Sequence, residues 1–200
     1  MKLYFSPGAC SLAPHILLRE TGARFELAKV DTASHVTAAG DDFYAVNPKG
    51  QVPLLELADG ERLSEGAIIA QYISESAVGS RLLPATGMAR YRVLEWQNYV
   101  ASELHKSYTP LFNPALAADA KQTLKAGLRR KYEWLDSRLG NAYLTGDDFT
   151  VADAYLFVVS QWAKYVDLDL SDLSNLQAYL GRVASRPAVR EAMQAEGLLA

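Results

Sequence analysis

The sequence predicts an α/β layer followed by an all-helical region, and three observations carry that reading. Short strand-like and helix-like patterns alternate through residue 79. Gly79-Ser80, Pro84 and Gly87 then punctuate the chain, and from Met88 onward every periodic segment has helical spacing with no alternating strand pattern. The expected division is therefore an α/β domain over 1–79, a linker over 80–87 and a helical domain over 88–200. With 200 residues, half of them hydrophobic, the chain is long enough for two modest cores.

Lys2 to Ser6 reads as the first strand and Pro7-Gly8 as a turn. From Ser11 to Glu20 the pairs Leu12/Ile16 and Ala13/Leu17 recur at helical spacing until Thr21-Gly22. Pro14 is tolerated there because first-turn N–H groups lack intrahelical partners. Phe25 to Val30 alternates as a second strand, and a loop follows it. Pro53-Leu54-Leu55-Glu56-Leu57, Asp59-Gly60 and Glu61-Arg62-Leu63 form a hairpin pattern, since Asp-Gly suits positive φ. Ser64 is expected to open a helix through Ile68, Ile69, Tyr72 and Ile73. In the second region, Ala154 to Val159 is apolar almost without a break, which predicts a helix buried on most sides. Thr150-Val151-Ala152-Asp153 predicts a capping box at its start, with Phe149 as a hydrophobic staple.

The formal net charge of −3 gives no electrostatic reason to expect a nucleic acid or an anionic membrane as partner. Arg129-Arg130-Lys131 falls in a helical pattern and reads as a solvated face. Met1-Lys2 runs straight into the first strand without a leader pattern, and no apolar run approaches the ~20 residues of a membrane span. A single cysteine excludes an internal disulfide and suits a reducing compartment. The expectation is a soluble cytoplasmic protein.

Cys10 is expected at the start of the first helix, where partial positive charge and N–H donors favour a thiolate. Lowering a thiol pKa by about two units corresponds to ~2.7 kcal/mol and would make thiolate the major form. A lone cysteine in general is more often a buried, inert side chain; the strand-to-helix position favours function. Cys10-Ser11-Leu12-Ala13 holds no second thiol, so a self-resolving dithiol is excluded. Asn47-Pro48-Lys49-Gly50-Gln51-Val52-Pro53 reads as a turn entering a strand, and an ordinary trans Val52-Pro53 bond is the default. At Ser64-Glu65-Gly66, helix N–H groups and the Glu65 carboxylate suit a ligand's carboxylate and ammonium, and a plain serine cap explains the same residues equally well. Asn98, Ser102 and His105 follow i, i+4, i+7 spacing with Glu103 and Lys106 alongside. Such a stripe is more often a solvated surface, although a histidine within it has the chemistry to assist a thiol. No phosphate loop, dinucleotide fingerprint or metal cluster is present in the pattern, and no cofactor or metal is expected.

Together these segments resemble one family. Met1-Lys2-Leu3-Tyr4, Gly8-Ala9-Cys10-Ser11, Asn47 to Pro53, Ser64-Glu65-Gly66-Ala67-Ile68, Glu103-Leu104-His105-Lys106 and Phe149 to Tyr155 recur in this order in Beta-class glutathione transferases. The resemblance covers essentially the whole chain. It implies a thioredoxin-like N-terminal domain, an all-helical C-terminal domain and a homodimer. Cys10 would lie beside the glutathione sulfur, and Val52, ahead of a cis Pro53, would pair its backbone with the cysteinyl unit. Glu65 and Gly66 would hold the γ-glutamyl end. Asn98, Ser102, Glu103, Leu104, His105 and Lys106 fall in the stretch that, in the family, reaches the site from the second domain or the other subunit, with His105 as a second catalytic candidate. Two positions depart from the family pattern: Gly66 stands where many members have serine, and His35 where a lysine is common, which weakens contact with the glycyl carboxylate as imidazole loses its charge. Tyr4 lies inside the first strand, so Cys10 fits better than a tyrosine-dependent site.

The implied reaction joins the thiol of reduced glutathione, a co-substrate, to small hydrophobic electrophiles. Two alternatives stay open. One is a monothiol disulfide reductase, dehalogenase or isomerase on the same site; the other is a non-catalytic binding protein on the same fold.

Overall fold

A computed structural model of the chain describes residues 1–199. These form two compact units, one of residues 1–83 together with 186–199, the other of residues 84–185.

The first unit is built on a five-stranded mixed sheet. Its strands are β1 (Lys2–Phe5), β2 (Glu26–Asp31), β3 (Val36–Thr37), β4 (Leu54–Glu56) and β5 (Arg62–Ser64), in the order β3-β2-β1-β4-β5. Only β1 and β2 run parallel, with Leu3 opposite Leu27; β1 meets β4 antiparallel with Leu3 opposite Leu55. Helix α1 (Leu12–Glu20) provides the crossover between β1 and β2. Successive side chains of β1 point to opposite faces. Tyr4 packs against Phe43 at 5.6 Å, while Phe5 meets the ring of His15 from α1. Both faces of the sheet are thus covered, and Tyr4 is a core residue.

The stretch expected as a loop between β2 and the hairpin contains β3 and a single-turn helix, α2 (Phe43–Val46). The Asp42 carboxylate accepts the Tyr44 N–H at its start. A two-residue strand and a four-residue helix are too short to leave a periodic signal. The hairpin forms as expected, but Gly60 alone takes the positive φ, +89°. Ser64 does not open the following helix. It closes β5, and α3 (Gly66–Ser76) starts after Glu65. Hairpin pairing places Ser64 opposite Leu54, which draws it into the sheet.

The second unit begins with α4 (Gly87–Tyr99), which runs into a π-helical turn over Val100–His105, a short α5 (Lys106–Tyr108) and a 3₁₀ turn over Thr109–Phe112. Helices α6 (Ala118–Asp136), α7 (Val151–Ser160) and α8 (Ser174–Ala184) follow. As the unbroken apolar run requires, α7 is buried along nearly its whole length, and it packs against α4, the π turn and α8. The capping box is present: the Thr150 N–H and hydroxyl both donate to the Asp153 carboxylate, at 2.9 and 2.6 Å.

The last helix, α9 (Pro187–Ala195), was expected in the helical domain and belongs instead to the first unit, where it packs on α1. Arg186 makes a bidentate pair with Glu20 at the end of α1, at 2.7 and 2.9 Å, and fixes the chain as it returns. The boundary between the units falls at Leu83–Pro84, within the stretch expected as linker.

Candidate functional site

In the first unit, three loop ends converge. The β1–α1 loop carries Cys10, whose half-buried thiol donates to the Val52 carbonyl oxygen at 3.4 Å. The loop closes on itself through Ser11. Its Oγ accepts the Ser6 N–H at 3.1 Å and lies 3.2 Å from the Ser6 carbonyl. Val52 precedes Pro53 through a cis peptide bond, the form the family resemblance implies and not the trans form the sequence by itself favours. Asn47 shapes this stretch: its amide donates to Gln51 C=O at 2.7 Å and its Oδ1 accepts Lys49 N–H at 3.2 Å.

At the second loop end, Glu65 sits ahead of α3 with φ 70° and ψ 106°. A non-glycine residue held at positive φ costs of order 1–3 kcal/mol, and such residues gather where ligands bind. The Glu65 carboxylate pairs with Lys49 Nζ at 2.7 Å, and Lys49 also donates to Ser64 Oγ at 3.0 Å. Both partners are more than half exposed, so this pair adds little stability; its value is to orient two charges. Gly66 is not demanded by space: a Cβ there would stand 3.5 Å from the Pro53 ring, an ordinary contact.

The third loop end holds His35, also left-handed at φ 56°. Its Nδ1 lies 3.0 Å from the Gly50 carbonyl oxygen and its ring packs, tilted by 36°, on that of Tyr44 at 4.4 Å. A carbonyl can only accept, so Nδ1 carries the proton and only Nε2 remains for a ligand. Gly50 is fixed by the same packing. It has φ +63°, and a Cβ would lie 2.6 Å from Tyr44 Cε1 and 2.9 Å from His35 Nδ1.

In the second unit, the expected stripe does not stay on one face. Asn98, Ser102, Glu103 and Lys106 are exposed, and Ser102 Oγ donates back to the Asn98 carbonyl at 3.0 Å. Across the π turn, Leu104 is fully buried in line with Val93, Gln97 and Val100, and His105 is partly buried beside it. Leu104, expected among ligand contacts, is therefore a core side chain. The His105 Nδ1 lies 2.6 Å from the Tyr155 hydroxyl, and its ring meets Trp162 edge-on at 4.8 Å. Burial, and secondarily the Lys106 charge, pushes its pKa down to about 4. A pKa so lowered favours the neutral ring at physiological pH. Glu103 is held by Lys131 at 2.9 Å.

Sequence reasoning overlooked Lys49, Tyr44 and Gly50 around Glu65 and His35, and Tyr155 and Trp162 around His105. Lys49, Gly50 and Tyr155 lie inside motifs already singled out, whereas Tyr44 and Trp162 come from other elements and leave no spacing signal. Among the described residues, no group of three His, Cys, Asp or Glu side chains is placed to hold a metal ion. No described helix is long and apolar enough to cross a membrane.

The glutathione S-transferase N-terminal domain family matches residues 1–75, and the C-terminal domain family matches residues 99–187. Glutathione S-transferase GstA of Escherichia coli O157:H7 is 48% identical over 200 residues, covering 99% of this chain and 100% of that relative. Among solved structures, the bacterial beta class glutathione S-transferase of Sphingomonas chungbukensis matches with a TM-score of 0.95 at 45% identity, over 100% of both chains. A sphingomonad glutathione S-transferase complexed with glutathione matches with a TM-score of 0.95 at 48% identity, again over 100% of both chains.

Proposed function

Because the chain belongs to the glutathione S-transferase family, we propose that it joins the thiol of reduced glutathione to small apolar electrophiles, with Cys10 beside the reacting sulfur. The observation that carries this reading is the meeting of Cys10 Sγ with the Val52 carbonyl, which puts a thiol against the backbone of a second loop. A cysteinyl unit pairing with the Val52 backbone in extended form would bring its own sulfur to that thiol. Glu65 would take the γ-glutamyl ammonium, and the first-turn N–H groups of α3, at Gly66, its carboxylate. His35, with Nδ1 committed to Gly50, would offer Nε2 to the glycyl carboxylate, as a donor only when the ring is protonated.

In the reaction, the glutathione thiolate attacks the electrophilic carbon and a C–S bond forms. The leaving group departs with its bonding pair, and the thiol proton goes to solvent. Catalysis then consists of holding the sulfur in place and favouring its ionised form. His105 would serve as a neutral hydrogen-bonding group. Asn98, Ser102, Glu103 and Lys106 remain proposed contacts. Glutathione is a co-substrate and no cofactor takes part. A homodimer in the cytoplasm is the assembly and setting proposed with this chemistry.

The single, partly exposed thiol favours one second reading, a monothiol disulfide reductase. There the Cys10 thiolate would attack a glutathione mixed disulfide, keep the glutathionyl group and release the other thiol. Reduced glutathione would then free Cys10 and leave as oxidised glutathione. Thermal melting with increasing glutathione tests what both readings share, since a ligand specific for the native state raises the midpoint. No shift at millimolar glutathione would argue for a non-catalytic protein on this fold.

A further inference from the structure

A buried polar chain links the end of the protein to the loop that carries Cys10. After α9, the Glu196 side chain turns inward and is fully buried, as is that of His15 on α1. One carboxylate oxygen of Glu196 lies 2.8 Å from His15 Nδ1, and the other accepts the Gly8 N–H at 3.0 Å. On the far side of the ring, His15 Nε2 accepts from Arg19 Nε at 3.0 Å. A guanidinium only donates, so Nε2 carries the lone pair and Nδ1 the proton, which His15 donates to Glu196. Arg19 also reaches Glu191 on α9 at 3.3 Å. Every group in the chain Arg19–His15–Glu196–Gly8 thereby has a partner of the right polarity. A buried charge without such partners would be strongly unfavourable.

Gly8 stands two residues before Cys10, in a left-handed conformation at φ 71°. The acceptor of the Gly8 amide in this contact comes from 188 positions away. The Glu196 side chain is used neither by the sheet nor by any residue of the glutathione reading, and it spends its two oxygens on the loop and on α1.

We propose that Glu196, held in place by His15, anchors the Gly8 amide and so positions the Cys10 thiol, making the C-terminal segment a working part of the β1–α1 loop. Glu196 and His15 are positioning residues here and touch no substrate. The functional weight of this inference rests on the proposed role of Cys10 beside the glutathione sulfur. Its test does not, because Cys10 is the only cysteine and can be read without glutathione.

The test is the alkylation of Cys10 by iodoacetamide across pH, followed to the plateau at about pH 9.5 to 10, where a thiol of ordinary pKa is largely ionised. The plateau reads access and orientation, separate from any effect that removing a negative charge has on the midpoint. Glu196→Ala should raise the plateau rate about tenfold, in keeping with the loss of one charge-assisted hydrogen bond on the loop. Glu196→Gln, which retains one acceptor, should raise it less and serves if the alanine variant does not fold. Val189→Ala opens a cavity under the same α9 helix without touching Gly8, and should lower the melting temperature while leaving the plateau at the wild-type value. Unchanged plateaus in the Glu196 variants, or an equal rise in Val189→Ala, would overturn the positioning role. Absence of glutathione binding with the predicted plateau change would instead overturn the functional reading alone.

Discussion

Replacing Asp153 by alanine should cost about 4 kcal/mol of stability, although the residue is far from Cys10 in sequence and has no part in the chemistry. Its side chain is fully buried at the start of α7. One oxygen accepts the Leu144 N–H at 2.9 Å and the Tyr179 hydroxyl at 2.8 Å; the other accepts the Thr150 N–H at 2.9 Å and the Thr150 hydroxyl at 2.6 Å. Alanine strands two N–H groups, each worth ~1–3 kcal/mol when left unpaired, while the two hydroxyls can turn toward other acceptors. That sum is about 4 kcal/mol, in which the helix cap is already counted. Asparagine should cost only about half as much, because it satisfies one pair of donors and carries no charge. Burial raises the Asp153 carboxyl above the usual carboxylate range, so the folded state binds its proton more tightly than the unfolded state. The linked stability is full below the unfolded pKa and fades as pH rises through the folded one, which leaves an ionisation cost at neutral pH that asparagine avoids. Urea denaturation at pH 7.5, with the melting temperature as a second reading, measures both variants. For a chain of this size, 4 kcal/mol corresponds to roughly 8–16 °C. An alanine variant within 1 kcal/mol of the wild type, or an asparagine variant as damaged as alanine, would refute the reasoning.

Three further outcomes follow from the geometry. Gly50→Ala should destabilise by about 1–3 kcal/mol and raise the glutathione KM, because its Cβ would collide with Tyr44 and His35 at a φ that disfavours side chains; chemical denaturation and steady-state kinetics read the two effects. Gly66→Ser should fold normally, since a Cβ fits there, and lower the glutathione KM about fivefold by adding a hydroxyl, worth ~1 kcal/mol. The depressed His105 pKa means the unfolded state gains a proton first on acidification, so stability is full above about 6.5 and falls by a few kcal/mol towards pH 4. His105→Asn should flatten that slope in urea titrations at pH 7.5 and 4.5.

The two-part architecture was legible because it rests on periodicity. The buried run of α7, its capping box and the first strand and helix each follow from spacing over several residues. What escaped was set by contacts between distant positions. Helix α9 reads as one more amphipathic helix; only its packing on α1 and the Arg186–Glu20 pair assign it to the first unit. Ser64 looks like a cap, but pairing opposite Leu54 makes it a strand residue. Helical spacing put His105 on an exposed stripe, whereas the structure sets it against Tyr155 and Trp162, side chains from distant elements that no local pattern encodes. Cys10, Val52 and Glu65 stood out as functional residues of their motifs; Lys49 lay in the same motif without a role, and Tyr44 gave no signal. Glu196 gives no signal at all, since its partners lie almost the length of the chain away.

Turnover of the purified wild-type and Cys10→Ala proteins with glutathione, using chlorodinitrobenzene and hydroxyethyl disulfide as acceptors, tests the central claim most directly. The account predicts saturable, glutathione-dependent conjugation by the wild type and a marked loss in the variant with at least one acceptor. Activity of the wild type with neither acceptor, or full activity of the variant with both, would contradict it.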